Sequence, residues 1–191
     1  MRKKVTSSDN AASKVTIRDG TFDDLEAIAY IRVVTWRTTY AGIVPDDHLA
    51  ALDHEQKAAT LKQFFDEFPG FYTVAEKNSQ VIGYAIAGAE RTTLLPFSGE
   101  LWAMYILQEY QRQGIGHLLV ETVANRLAAQ QHASMIVWVL ADNPCRRFYE
   151  SLGGVLSGEK TLVIGGKTLT EVAYGWPDTT SLRNCAGCQI S

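Results

Sequence analysis

Residues whose types and spacing can do chemistry are concentrated between Glu100 and Gly154. The stretch Gln111-Arg112-Gln113-Gly114-Ile115-Gly116-His117 leads from an apolar, aromatic-rich strand straight into a helical pattern. In the first turn of such a helix the backbone N–H groups have no intrahelical acceptor. Together with the positive end of the helix dipole they can hold a pyrophosphate. Gly114 and Gly116 have no Cβ, which permits close approach of the backbone. The spacing is not that of a P-loop, because the Lys-Ser/Thr ending is absent. It also departs from a dinucleotide fingerprint, with Gln111 where the first glycine would stand. Two glycines making a tight strand-to-helix connection account for the same letters without a ligand.

The elements that must hold these residues follow from periodicity. Val15 to Arg18 reads as a first strand, and Thr21 with Asp24 three residues on resembles a capping box. Leu25, Ile28, Ala29, Val33, Trp36 and Tyr40 recur at helical spacing, predicting a helix over 22–39 that Gly42 and Pro45 end. A second helix is expected over 55–66, strands over 71–76, 81–89 and 100–107, and a helix from Gly114 to before His132. The unbroken apolar run Met135 to Leu140 suits a strand buried on both faces. Asn143-Pro144 reads as the start of a short helix capped by Asn143, with Gly153-Gly154 as its stop. Thr161 to Ile164 and Lys167 to Tyr174 flank Gly165-Gly166, a two-residue hairpin signal. This order describes a single-domain α/β protein, a mixed sheet flanked by helices. The domain is expected over 14–177, between a polar leader at 1–13 and a tail at 178–191.

The length of 191 residues fits one domain. Eighteen Lys and Arg against 21 Asp and Glu give a formal charge of −3, which argues against broad electrostatic wrapping of nucleic acid. No apolar run approaches the roughly 18 residues of a membrane span. No apolar segment follows Arg2-Lys3-Lys4, so no membrane partner is expected and the cytoplasm is the default location. Cys145, Cys185 and Cys188 are too few for a disulfide framework. Cys185-x-x-Cys188 has metal-like or redox-like spacing but no second matching pair; His48, His54, His117 or His132 could lend ligands, yet a nonessential tail is the expected reading and no metal is expected.

Gln111-x-x-Gly114-x-Gly116 after an aromatic-rich strand resembles the acyl-CoA-binding motif of the GCN5-related N-acetyltransferases. Asp142-Asn143-Pro144-Cys145-Arg146-Arg147-Phe148-Tyr149-Glu150-Ser151-Leu152-Gly153-Gly154 is similar to that family's second signature, with the Asn, the Phe-Tyr pair and the terminal glycine in order. The likeness covers about 15–176 and is strongest over 99–154, with Gln108 standing where relatives often have proline. It implies a mostly antiparallel sheet in which the strand ending at Ile106 and Leu107 splays from a parallel strand at 135–140. Acetyl-CoA would be the acyl donor, its pantetheine arm in the gap. Its pyrophosphate would rest on Gln111, Arg112, Gln113, Gly114, Ile115, Gly116 and His117, mainly on main-chain N–H groups.

The same resemblance points the Tyr149 hydroxyl at the sulfur, as the acid for the departing thiolate. Asn143 would touch the pantetheine or its surrounding loop while capping its helix. Arg146 and Arg147 could approach the coenzyme phosphates, although surface solvation explains a charged pair equally well. Glu100 would border the acceptor channel and is the candidate general base. Alternation puts Glu100, Trp102 and Met104 on one strand face and Leu101, Ala103 and Tyr105 on the other. Trp36, Tyr40, Trp102 and Tyr105 are the candidate acceptor wall, which beside a glutamate suits a cationic or aromatic amine. Ordinary packing between helix and sheet is the competing account of these aromatics and of Tyr149, as solvent exposure is for Glu100. The implied reaction is acetyl transfer to a primary amine of a small metabolite by direct attack in a ternary complex. A protein N-terminus or lysine as acceptor, and a noncatalytic acyl-CoA-binding domain, are the alternatives. Cys145 has no histidine beside it, so no covalent route is expected. A homodimer through the terminal hairpin and Trp176 is left open, against local packing of the same residues.

Overall fold

The computed structural model describes residues 14–182; the expected leader and Cys185 and Cys188 lie outside the described residues. Strands β1 (Thr16–Asp19), β2 (Phe71–Lys77), β3 (Gln80–Ala89), β4 (Gly99–Ile106), β5 (Met135–Leu140), β6 (Val155–Ile164) and β7 (Lys167–Trp176) form one sheet. Their order is β1-β2-β3-β4-β5-β7-β6. Every neighbouring pair is antiparallel except β4 and β5, which run parallel. The helices are α1 (Leu25–Thr39), α2 (Asp46–Ala50), α3 (His54–Gln63), α4 (Ile115–Ala129) and α5 (Arg146–Ser151).

The periodicities sort the helices between two faces. Leu119, Val123 and Leu127 of α4 and Tyr149 of α5 pack in one cluster with Leu101, Val137 and Tyr174. Leu25, Ile28 and Ile31 of α1 pack in another with Tyr72, Val74 and Tyr84. The start of α1 is pinned by Asp24, whose carboxylate accepts the Thr21 N–H at 2.7 Å and two Arg18 N–H groups at 2.7 and 2.8 Å. Asn78 and Ser79 turn the β2–β3 hairpin with φ of 53° and 61°. Gly165 and Gly166 turn the last one at 56° and 80°, the left-handed geometry that twisted hairpins favour. No helix among the described residues is long and apolar enough to cross a membrane.

Two irregularities of the sheet shape the site. Strands β4 and β5 pair only at Gly99↔Met135, Glu100↔Ile136 and Leu101↔Val137, although both run on for several residues. Beyond Leu101 they diverge and leave a wedge. The β3–β4 register shifts from Ile86↔Ala103 to Ala87↔Leu101, so Trp102 is an inserted, bulged residue. A bulge resets alternation. Leu101 therefore joins Met104 and Ile106 in the α4 cluster, while Ala103 and Tyr105 pack with α1. This corrects the face assignment expected from strict alternation.

Other departures are smaller. Pro45, with extended ψ of 135°, does not merely end α1 but starts the short α2. Strand β6 begins at Val155 rather than Thr161. Packing continues beyond 177: Thr179 donates its N–H to Ala133 O at 2.9 Å and Leu182 is buried in the α4 cluster. Trp176 is buried and donates to Leu152 O at 2.9 Å, so this side chain packs locally.

Candidate active site

The glycine turn sits where the wedge opens. After Ile106 a short 3-10 turn (Gln108–Tyr110) leads into Gln111, and α4 starts behind Gly114. Gly114 has φ of +81°, and a Cβ there would meet nothing within 4 Å, so it is the backbone conformation that calls for glycine. Gly116 differs: a Cβ there would meet the Phe148 ring at 3.1 Å, so its smallness serves the contact between α4 and α5. The N–H groups of Arg112, Gln113, Gly114, Ile115 and Gly116 have no acceptor among the described residues, as the first turn of a helix requires. The Gln111 side chain donates to Ile106 O at 2.9 Å and Gln113 to Glu109 O at 2.9 Å. Both brace the turn, which leaves the main chain as its binding surface. Ile115 is buried in the core and His117 lies edge-on to Phe148, ring centroids 5.3 Å apart. Arg112, at φ of +60°, is exposed and makes no ion pair among the described residues.

Along the wedge, Leu107 already donates its N–H to Ile82 O at 3.0 Å. Because successive residues of a strand point their backbone groups to opposite sides, Met104 and Ile106 present theirs toward the gap. The free edge expected at Ile106 and Leu107 is therefore that of Met104 and the Ile106 N–H, since the Ile106 carbonyl already accepts from the Gln111 side chain.

A cluster of aromatic side chains closes the far side. Trp36 donates its indole N–H to the Tyr105 hydroxyl at 2.9 Å, and Trp36 and Tyr40 meet edge-on at 4.9 Å. Asn143 donates to the Tyr40 hydroxyl at 3.3 Å and accepts the Cys145 N–H at 2.8 Å. It thus forms a tight turn ahead of α5, whose first residue is Arg146, instead of capping the helix itself. Burial first, then the Tyr105 and Cys145 groups, raises the pKa of Tyr149 above the ordinary phenol range. Burial and the Tyr105 hydroxyl do the same for Tyr40. These phenols stay protonated, and the Tyr149 hydroxyl has no hydrogen-bond partner among the described residues. A protonated, uncommitted donor at the mouth of a wedge can serve a departing anion.

Three expected site residues are committed elsewhere. Glu100 is buried at the paired end of β4, and Arg91 holds both its oxygens, at 2.6 and 3.1 Å, with the Arg91 backbone N–H adding a third bond at 3.1 Å. This carboxylate, five residues back along the strand from Tyr105, is thus committed to Arg91. Trp102, displaced by the bulge, packs on Phe68 at 5.3 Å beneath Arg91, filling the space left by Gly70 and Gly88. Arg146 donates to Tyr174 Oη at 3.1 Å and Ala141 O at 2.8 Å, which fixes the loop and leaves Arg147 as the exposed cation of the pair. Arg32 escaped the sequence reading. It stands four residues before Trp36, the spacing that stacks side chains on one helix face, and its guanidinium lies 5.2 Å from the Trp36 ring and 5.9 Å from that of Tyr105.

The comparisons with known proteins agree with this geometry. Residues 83–163 match the family model described as FR47-like protein. An uncharacterized N-acetyltransferase of Bacillus subtilis, YuaI, is 35% identical over 174 residues, covering 88% of this chain and 96% of that protein. Among solved structures, a PaiA N-acetyltransferase from Thermoplasma acidophilum in complex with coenzyme A superposes with a TM-score of 0.62 at 18% identity, covering 83% of this chain and 98% of that one. A phosphinothricin acetyltransferase from Sinorhizobium meliloti in complex with AcCoA gives 0.65 at 24%, covering 86% and 88%. At these identities the structures speak to the fold, whereas the Bacillus relative and its coverage speak to descent. The chain belongs to the GCN5-related N-acetyltransferase family.

Proposed function

We propose that this acetyl-CoA-dependent N-acetyltransferase moves an acetyl group onto the primary amine of a small metabolite, by direct attack with both substrates bound. The observation that carries the reading is the wedge between β4 and β5, opening between a run of unpartnered N–H groups and an unpartnered phenol. The residues present fit the donor. The Arg112 to Gly116 amides match a pyrophosphate, Arg112 and Arg147 add free positive charge, and the Met104 edge and the Ile106 N–H match the amides of an extended arm. Acetyl-CoA, once bound, supplies an electrophilic thioester and no enzyme nucleophile is needed.

Tyr40, Trp36 and Tyr105 form the acceptor wall in this reading. The amine nitrogen attacks the carbonyl carbon, the carbon–sulfur bond breaks, and Tyr149 donates its hydrogen bond and then its proton to the leaving sulfur. Backbone N–H groups along the wedge meet the charge that develops on the carbonyl oxygen. The proton lost by the amine passes to water at the hydroxyl cluster, since Glu100 is held by Arg91. Asn143 acts as a positioning residue, fixing Tyr40 on one side and the entry to α5, and hence Tyr149, on the other. A cytoplasmic location belongs to the same proposal. So does a homodimer, supported by the exposed apolar residues Val155, Leu156 and Val163 on the edge strand β6.

Release of free CoA thiol from acetyl-CoA, followed against a panel of amines, tests the reading. Amine-dependent release that falls at least a hundredfold in Tyr149→Phe supports it. Release stimulated only by peptides transfers the assignment to a protein acceptor. Tight acetyl-CoA binding with no stimulation by either class leaves a binding domain.

A further inference from the structure

The acceptor wall carries a charge opposite to the one expected from the sequence. Glu100 is held by Arg91 at the paired end of β4, and no carboxylate among the described residues makes a hydrogen bond to Trp36, Tyr40 or Tyr105. Arg32 does reach it, stacked against Trp36 and Tyr105. Arg32 is partly buried, yet it makes no ion pair among the described residues. The Tyr105 and Tyr84 hydroxyls lie near it, and that of Tyr84 is fully buried without a hydrogen-bond partner of normal geometry among the described residues. Stacking satisfies the face of a guanidinium but not its in-plane N–H donors.

Arg32 also lines a cavity of about 230 Å³ between α1, the 51–53 loop and α3, and Lys57 lines the same cavity. Lys57 is likewise without an ion pair among the described residues, and burial together with the Arg32 charge lowers its pKa. Two neighbouring cations in a partly desolvated pocket repel each other, and no ion pair among the described residues neutralises either. The carboxylate lining this cavity is Asp53, which accepts the Gln56 N–H at 2.8 Å as the cap of α3. Arg32 and Lys57 against Asp53 leave one positive charge uncompensated, the complement of a monoanion. A guanidinium fork suits the two oxygens of a carboxylate.

We propose that the Arg32–Lys57 cavity is an acceptor subsite for a carboxylate, so that the preferred acceptor is a free aminocarboxylate with its amine at the Tyr105–Tyr149 end and its acid group on Arg32. The inference rests on the reading of the hydroxyl cluster as the acceptor end of the site. It disfavours a polyamine, which would bring a second cation to Arg32, and a protein N-terminus, whose α-carboxyl is consumed in a peptide bond.

The test compares amino acids with their own carboxamides as acceptors, by CoA thiol release. The acid is expected to exceed its amide in kcat/KM by at least tenfold, chiefly through KM. Arg32→Gln should bring that ratio close to one, and Arg32→Lys should restore part of it. Equal use of acid and amide by the wild type, with robust release, overturns the subsite and leaves small-amine transfer standing. So does an acid preference that survives Arg32→Gln in a folded variant.

A second readout separates the two proposals. Binding of the same amino acids is followed by calorimetry on the wild type and Arg32→Gln, each saturated with CoA. Arg32-dependent binding without any turnover keeps the subsite and removes small-amine transfer. Absence of both turnover and binding removes both.

Discussion

At the scale of single residues the site divides by what each side chain is already doing. Tyr149 is uncommitted and protonated, so Tyr149→Phe should lower kcat by about 10²–10⁴, the range of a positioned general acid, with little change in acetyl-CoA affinity. The pH profile follows from the direction of its shift. The acid must be protonated to act, and a pKa raised by burial keeps it so beyond the ordinary phenol range. The rate should rise with pH as the amine deprotonates and show no descending limb below about pH 10, the ordinary phenol value. A descending limb near pH 8 would assign the acid to another group. Glu100 is the contrast. Its oxygens are held by Arg91, so Glu100→Gln should reduce stability by about 1.5–3 kcal/mol, the range for hydrogen bonds to a charged group. Its kcat should stay within a few-fold of the wild type. Denaturation and steady-state rates on the same sample separate these effects.

At the scale of elements, much is legible where one residue type answers one local demand. Gly165-Gly166 announces its hairpin because both positions need positive φ. Gln111-x-x-Gly114 announces a strand-to-helix turn for the same reason, and the apolar run 135–140 marks its strand to the residue. Trp36, Tyr40, Tyr105, Asn143 and Tyr149 all stand out in the sequence, and the fold brings them together. The features that do not are long-range. Nothing local says that Arg91 will fold back on Glu100, that Arg146 will be spent on Tyr174 and Ala141, or that β4 will insert Trp102. Two predictions belong here. Gly114→Ala should cost about 1–2 kcal/mol for forcing a left-handed residue and weaken CoA binding at least tenfold, since the N–H groups turn with the backbone. Gly116→Ala asks only a few tenths of an ångström of Phe148 and should spare binding; calorimetric titration of CoA distinguishes the pair. The entry to α1 answers to acid. Arg18 holds the Asp24 carboxyl down at about 2, so the pair contributes stability above the unfolded value near 4 that is lost as pH falls toward 2. Asp24→Asn should be less stable at neutral pH and lose less between pH 4 and 2, as read by thermal melts.

At the scale of the whole molecule, the sheet is two antiparallel halves, β1–β4 and β5–β7–β6, joined by the short seam at Gly99 to Leu101. A donor lying in the wedge completes the missing ladder, so it should stabilise the fold as a whole. At a hundred times its dissociation constant, CoA should add about 2.7 kcal/mol, visible as a raised Tm and as slowed amide exchange at Met104 and Ile106. Unchanged exchange at those two amides would place the arm elsewhere. The bulge at Trp102 has a consequence of its own. It works like a reading frame in space: one extra residue, inserted between the seam and the wedge, decides which side of the sheet every later side chain of β4 meets. Deleting Trp102 would make Leu101 opposite Ala87 and Ala103 opposite Ile86 consecutive pairs, so Tyr105 should stay on the α1 side and Met104 and Ile106 on the α4 side. Drawing Trp102 into the ladder as a regular pair, with no residue removed, would instead carry Tyr105 to the α4 side and Met104 and Ile106 to the α1 side, dismantling the site without altering any residue in it.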